Sequence, residues 1–176
     1  MNYDNICVMM KSYFEEKDEY ANTVLYFNES SISQAFCHIR DIGREEFYLG
    51  KNNRYRPSKV ITMRKNQYID CEYIIFGNSL DVVDNIVDYV DGKTQLYKVI
   101  RTYRPSSNIP PRDRKSFKGS YAPTTDDIEI VVEVLRGNPA REVRNELIKL
   151  YKDDIRISHG ERVEGNDYGK NPTRPI

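Results

Sequence analysis

Two stretches of this chain share a tetrapeptide, Tyr55-Arg56-Pro57-Ser58 and Tyr103-Arg104-Pro105-Ser106. Each copy sits in a basic block: residues 51–65 hold six bases and no acid, and residues 98–118 hold seven bases and one acid. A guanidinium is a planar fork that meets phosphate or carboxylate through two hydrogen bonds, and a tyrosine ring beside it offers a stacking face. The residues that fit this chemistry are Arg54, Tyr55, Arg56, Arg101, Tyr103, Arg104, Arg112 and Arg114. They form the candidate binding set. Basic residues on edge strands also serve to deter edge-to-edge pairing, and a chain of this composition repeats some tetrapeptide by chance in roughly one case in five.

Other combinations suggest chemistry more faintly. Asp70 and Glu72 alternate on a strand-like run, and Asp91-Gly92-Lys93 follows; two carboxylates and a lysine are the elements of a Mg²⁺-dependent nuclease. Nothing in the sequence ties Lys93 to Asp70, so solvated carboxylates are the simpler reading. Cys37 and His38 are adjacent, which on a helix points them apart and yields no nucleophile and base. Walker loops, GxGxxG, HExxH and serine-hydrolase motifs are all absent. Cys7, Cys37 and Cys71 are odd in number and lack CxxC spacing, the pattern of reduced thiols in a reducing compartment. Neither cofactor nor metal is expected.

These residues need elements to position them. Ile6, Met9, Met10, Tyr13 and Phe14 have helical spacing, and residues 23–27 read as a strand. Ser31 with Gln34 resembles a capping box ahead of the stripe Ile32, Ala35, Phe36, Ile39 and Ile42, which predicts a helix ending at Gly43. Residues 60–63 and 68–76 read as a hairpin. Leu80, Val83, Ile86, Val87 and Val90 predict a helix capped by Asn78 or Ser79 and stopped by Gly92, and residues 96–103 a strand. The order β-α-β-β-α-β is that of the α+β ferredoxin-like fold, a four-stranded antiparallel sheet in the order 4-1-3-2 with an N-terminal helix added. In that topology both tetrapeptides fall at one end of the sheet.

The expected organisation is therefore an α+β domain over residues 1–104, a Pro-rich basic linker over 105–123, a helical segment over 124–157 and a polar tail over 158–176. Ile128, Val131, Val132 and Leu135 keep helical spacing, while Ile128, Ile130, Val132 and Val134 alternate, which leaves a strand open. As a helix, this segment and residues 139–153 would have a helix-turn-helix outline, although the acids among Arg141, Arg144, Lys149 and Lys152 suit a solvated helix better. Equal totals of 27 bases and 27 acids exclude a bulk polycation, but the neutrality is assembled from opposed blocks. No run of 18 apolar residues and no basic leader is present, so a cytoplasmic protein without membrane contact is expected. Abundant Asn, Ile, Tyr and Lys with only four Ala imply an AT-rich genome, such as that of a phage, virus or mobile element. The functional expectation is a non-catalytic binding or assembly protein for an acidic protein or nucleic acid, with homo-oligomers or larger assemblies possible. A nucleic-acid-binding regulator and a Mg²⁺-dependent nuclease stand as alternatives.

Overall fold

The computed structural model describes residues 2–16, 23–43, 55–103 and 126–161. Six antiparallel strands close into a barrel: β1 (Asn5–Met10), β4 (Ile32–Asp41), β5 (Pro57–Arg64), β8 (Asp127–Val134), β7 (Leu96–Tyr103) and β6 (Tyr73–Gly77), in that order around the wall. β6 pairs back onto β1 and completes the ring. Outside it, β2 (Tyr13–Glu16) and β3 (Thr23–Tyr26) form a two-stranded ribbon. Three helices follow, α1 (Val82–Val90), α2 (Asn138–Leu150) and α3 (Lys152–Ser158). The fold is mostly β with a small helical layer, and the ferredoxin-like sheet is overturned by the barrel's closure and strand order.

Two cores account for this. The barrel interior is filled by Cys7, Met9, Ala35, Cys37, Ile61, Met63, Cys71, Ile74, Tyr97, Ile128, Ile130 and Val132. A second core lies between the outer face of the barrel and the helices, where Val8, Met10, Ile32 and Ile75 meet Ile86, Val90, Val143, Leu147 and Ile155, with Leu25 and Phe27 of the ribbon side. Cys7, Val8, Met9 and Met10 thus alternate between two buried environments and all four are fully buried. A strand covered on both faces loses its period-2 signature, and for this reason β1 carries the spacing of a helix. β4 is misread because its apolar residues fall on both faces: Ile32 meets the helical layer, Ala35, Cys37 and Ile39 face the barrel interior, and Phe36 is exposed on the outer face.

Residues 127–134 take the strand alternative. They are β8, hydrogen-bonded to β5 on one side and β7 on the other, so no helix-turn-helix forms with α2. β5 and β6 are not a hairpin either, since β5 pairs with β4 and β8 and β6 with β1 and β7. α1 and α2 form as the apolar stripes predict. The cap of α1 is Asp81, whose carboxylate accepts from the Val83 amide at 2.8 Å, and Gly92 ends the turn beyond α1 at φ +78°. Asn78 and Ser79 instead donate their amides to Oδ1 of Asn85, each at 3.0 Å. No helix among the described residues is long and apolar enough to cross a membrane.

Candidate functional site

The wall formed by β4, β5, β8 and β7 turns Ile61, Met63, Ile128, Ile130 and Val132 inward, so the alternate residues face out. The register aligns them in rows. One row runs Arg40, Val60, Val131, Arg101; the next runs His38, Thr62, Glu129, Tyr103; and Arg64 stands opposite Asp127. Arg40 and Glu129 approach to 3.9 Å, as do Arg64 and Asp127. The Tyr3 hydroxyl donates to Oδ1 of Asp127 at 2.6 Å, and Arg64 lies 5.5 Å above the Tyr3 ring. Arg101 is placed differently. Its guanidinium sits 4.7 Å above the Tyr103 ring and has no carboxylate partner among the described residues, while Tyr103 keeps 42% of its surface exposed.

A β-bulge produces this pair. Val99 stands opposite Val132 and Arg101 opposite Val131, so Ile100 is the extra residue in β7. Through Val99 the odd-numbered residues of β7 point inward; after Ile100 they point outward. Without that change of phase Arg101 and Tyr103 would point into an apolar interior.

The tetrapeptides do not meet at a common end. β5 and β7 both run antiparallel to β8 and therefore parallel to each other. Pro57 is level with Glu133, and Tyr103 with Glu129. Those positions are four residues apart on β8, about 13 Å, and on opposite flanks of it. The convergence depended on the 4-1-3-2 sheet and goes with it. Tyr55 and Arg56 are exposed, and the Arg56 amide donates to Oε2 of Glu133 at 3.1 Å. Arg54, Arg104, Arg112 and Arg114, with the linker 105–123 and the tail from residue 162, lie outside the described residues.

The elements of a nuclease are occupied separately. Oε2 of Glu72 accepts from the amide and hydroxyl of Ser12, at 2.7 and 3.1 Å, which ties the end of the β1–β2 connection to the start of β6. The Lys93 ammonium lies 2.8 Å from Asp88 and 3.6 Å from Asp91, and Asp91 also meets Nε2 of His159 at 2.9 Å. Among the described residues no three His, Cys, Asp or Glu side chains are grouped to hold a metal ion. The three cysteines are free and buried. A hydrogen bond with Cys37, together with burial, holds the Cys7 thiol well above its usual pKa, and burial followed by Glu72 and Asp70 pushes Cys71 up to about 12. Such thiols are poor nucleophiles.

Sequence reasoning missed Arg40, Arg64, Asp127 and Glu129, because a helix assigned to residues 32–42 and a hairpin assigned to 60–76 separated them. The alternation Gln34, Phe36, His38, Arg40 was the available signal. Also unforeseen is an open cavity of about 520 Å³ between β3 and α2, lined by Thr23, Val24, Leu25, Glu142, Asn145 and Glu146 together with Ile148 and Lys149. No family model, curated protein or solved structure matches this chain.

Proposed function

We propose that this is a non-catalytic binding or assembly protein whose barrel wall engages a phosphate-bearing or acidic partner around Arg101 and Tyr103. The observation that carries the reading is the guanidinium held over an exposed ring with no carboxylate partner among the described residues. An arginine so held is oriented in advance for an anion, and the exposed part of the tyrosine ring offers apolar surface beside it. Arg40 and Arg64 extend the positive charge, though each is shared with an acid on β8. Tyr55 and Arg56 would contact the partner from the far flank of β8. The buried cysteines support residence in a reducing compartment such as the cytoplasm, and the AT-rich residue usage supports a phage, viral or mobile-element source.

The test is binding of fluorescent single- and double-stranded oligonucleotides and of an oligoglutamate peptide, measured across a salt titration. Several phosphate contacts give a steep negative dependence of affinity on salt, and tighter oligonucleotide than oligoglutamate binding identifies nucleic acid as the partner class. The double variant Arg101→Glu, Tyr103→Ala should weaken the preferred ligand at least about tenfold and leave the melting temperature within a few degrees. Equal affinity of variant and wild type for every ligand refutes the assignment.

A further inference from the structure

We infer that the arginine wall takes single-stranded nucleic acid, with phosphates on its guanidiniums and an unstacked base on the ring of Phe36; this partner class rests on the reading of Arg101 as an anion site. Phe36 lies on β4 between Ala35 and Cys37, which both point into the barrel, so its own side chain points out. It shares the outward file of His38 and Arg40, and 46% of its surface is exposed. Cys37 pairs with Met63, so one step along the wall Phe36 and Arg64 stand at the same level. On the other side Ile6 of β1 is its cross-strand neighbour. Tyr103 is the other exposed aromatic on these four strands. Three strand spacings and two residues separate it from Phe36, about 16 Å.

The charges of the wall are sorted by depth. Arg64 keeps 52% of its side chain exposed against 1% for Asp127, and Arg40 keeps 34% against 17% for Glu129. The carboxylates are recessed and the guanidiniums stand nearer the solvent, so an approaching polyanion meets positive charge first. Guanidiniums alone would accept any anion, and the rings narrow the class. An acidic peptide satisfies the arginines but has no flat face to set on a phenyl ring, whereas every base has one. In a duplex those faces are stacked on one another. Only a single strand brings phosphates and free base faces together. Arg101 lies over Tyr103 and Arg64 shares the level of Phe36, so each exposed ring has an arginine beside it in the register. That pairing of apolar face with positive charge matches the base and phosphate of each nucleotide.

The experiment uses the full chain and three fluorescein-labelled probes read by anisotropy at one salt concentration: an oligothymidylate of about twelve nucleotides, an abasic strand of the same length and a duplex of the same length. The oligothymidylate should bind at least about tenfold tighter than the abasic strand, and tighter than the duplex. Phe36→Ala and Phe36→Leu should each weaken it at least about tenfold, leave the abasic strand's affinity unchanged and keep the melting temperature within a few degrees, while Phe36→Tyr binds as wild type. Arg101→Glu should weaken both strands. Equal or tighter binding of the abasic strand or the duplex, or indifference of the oligothymidylate to Phe36→Ala, overturns single-strand recognition; the anion site then stands wherever Arg101→Glu still weakens the bound ligand. A loss of abasic-strand affinity in Phe36→Ala overturns it too, because the ring would then support the wall and not a base. Failure of the oligothymidylate to bind also overturns it, and oligoglutamate binding that is lost in Arg101→Glu keeps the anion site.

Discussion

Asn85 has no exposed surface and satisfies every polar atom it carries. Oδ1 accepts from the amides of Asn78 and Ser79, while Nδ2 donates to the Ser79 carbonyl at 2.8 Å and to Oε1 of Gln34 at 2.9 Å. Gln34 in turn donates to the Leu80 carbonyl, so one amide joins β4, the β6–α1 loop and α1. Gly77 is required beside it, because a Cβ there would lie 2.3 Å from the Asn85 side chain. Asn85→Ala leaves two donors and two acceptors in need of partners and should cost about 2–4 kcal/mol, read as a shift of the urea midpoint. A loss below about 1 kcal/mol would show that water replaces the amide. At this scale the sequence is legible only in part. Arg101 and Tyr103 are identifiable from residue type, but the ring-over-guanidinium contact depends on the bulge, and the role of Asn85 depends on a β4 strand that the local pattern conceals.

Among the elements, α1 and α2 are readable because each buries one stripe and leaves the remainder to solvent. β1 is not, because it is sandwiched between two cores, and Ile6, Met9 and Met10 are spaced as in a helix only because every position of the run is apolar; β4 is not, because its apolar residues fall on both faces, with Phe36 exposed on the outer one. The strand alternative for residues 127–134 prevails since Ile128, Ile130 and Val132 fill the barrel interior. The helical layer has its own titration. Burial, with smaller contributions from Glu29 and Asp154, raises the Tyr151 phenol from 10.0 to about 12, and burial likewise raises Tyr89. A raised phenol stabilises the fold fully below the pKa of the unfolded chain, near 10, and the contribution is lost as pH rises through about 12. Tyr151→Phe should therefore lose less stability than wild type between pH 10 and 12, followed by urea unfolding at each pH. Parallel losses in the two proteins would place the alkaline sensitivity elsewhere.

For the molecule as a whole, the expected division into a domain over residues 1–104 and a separate helical segment meets the fact that β8 closes the ring. It supplies one full flank to β5 and another to β7, and Ile128, Ile130 and Val132 to the interior. A chain ending at residue 104 would expose two unpaired strand edges and an opened core, so it should aggregate and show no cooperative melting by circular dichroism. A soluble, cooperatively folding fragment would contradict the barrel. Local pattern could not disclose this closure, because the partner strands β5 and β8 are far apart in sequence and pairing over such a distance leaves no periodic trace. The surplus residue in β7 adds an evolutionary consequence. Deleting Ile100 would slide Arg101 into regular register opposite Val131 and leave the wall's charge in place, whereas one more residue inserted there, with the bulge still holding only one, would move Arg101 opposite Ile130 and turn it into the barrel interior. Lineages descended from this chain should thus tolerate the loss of one residue at this position more readily than the gain of one.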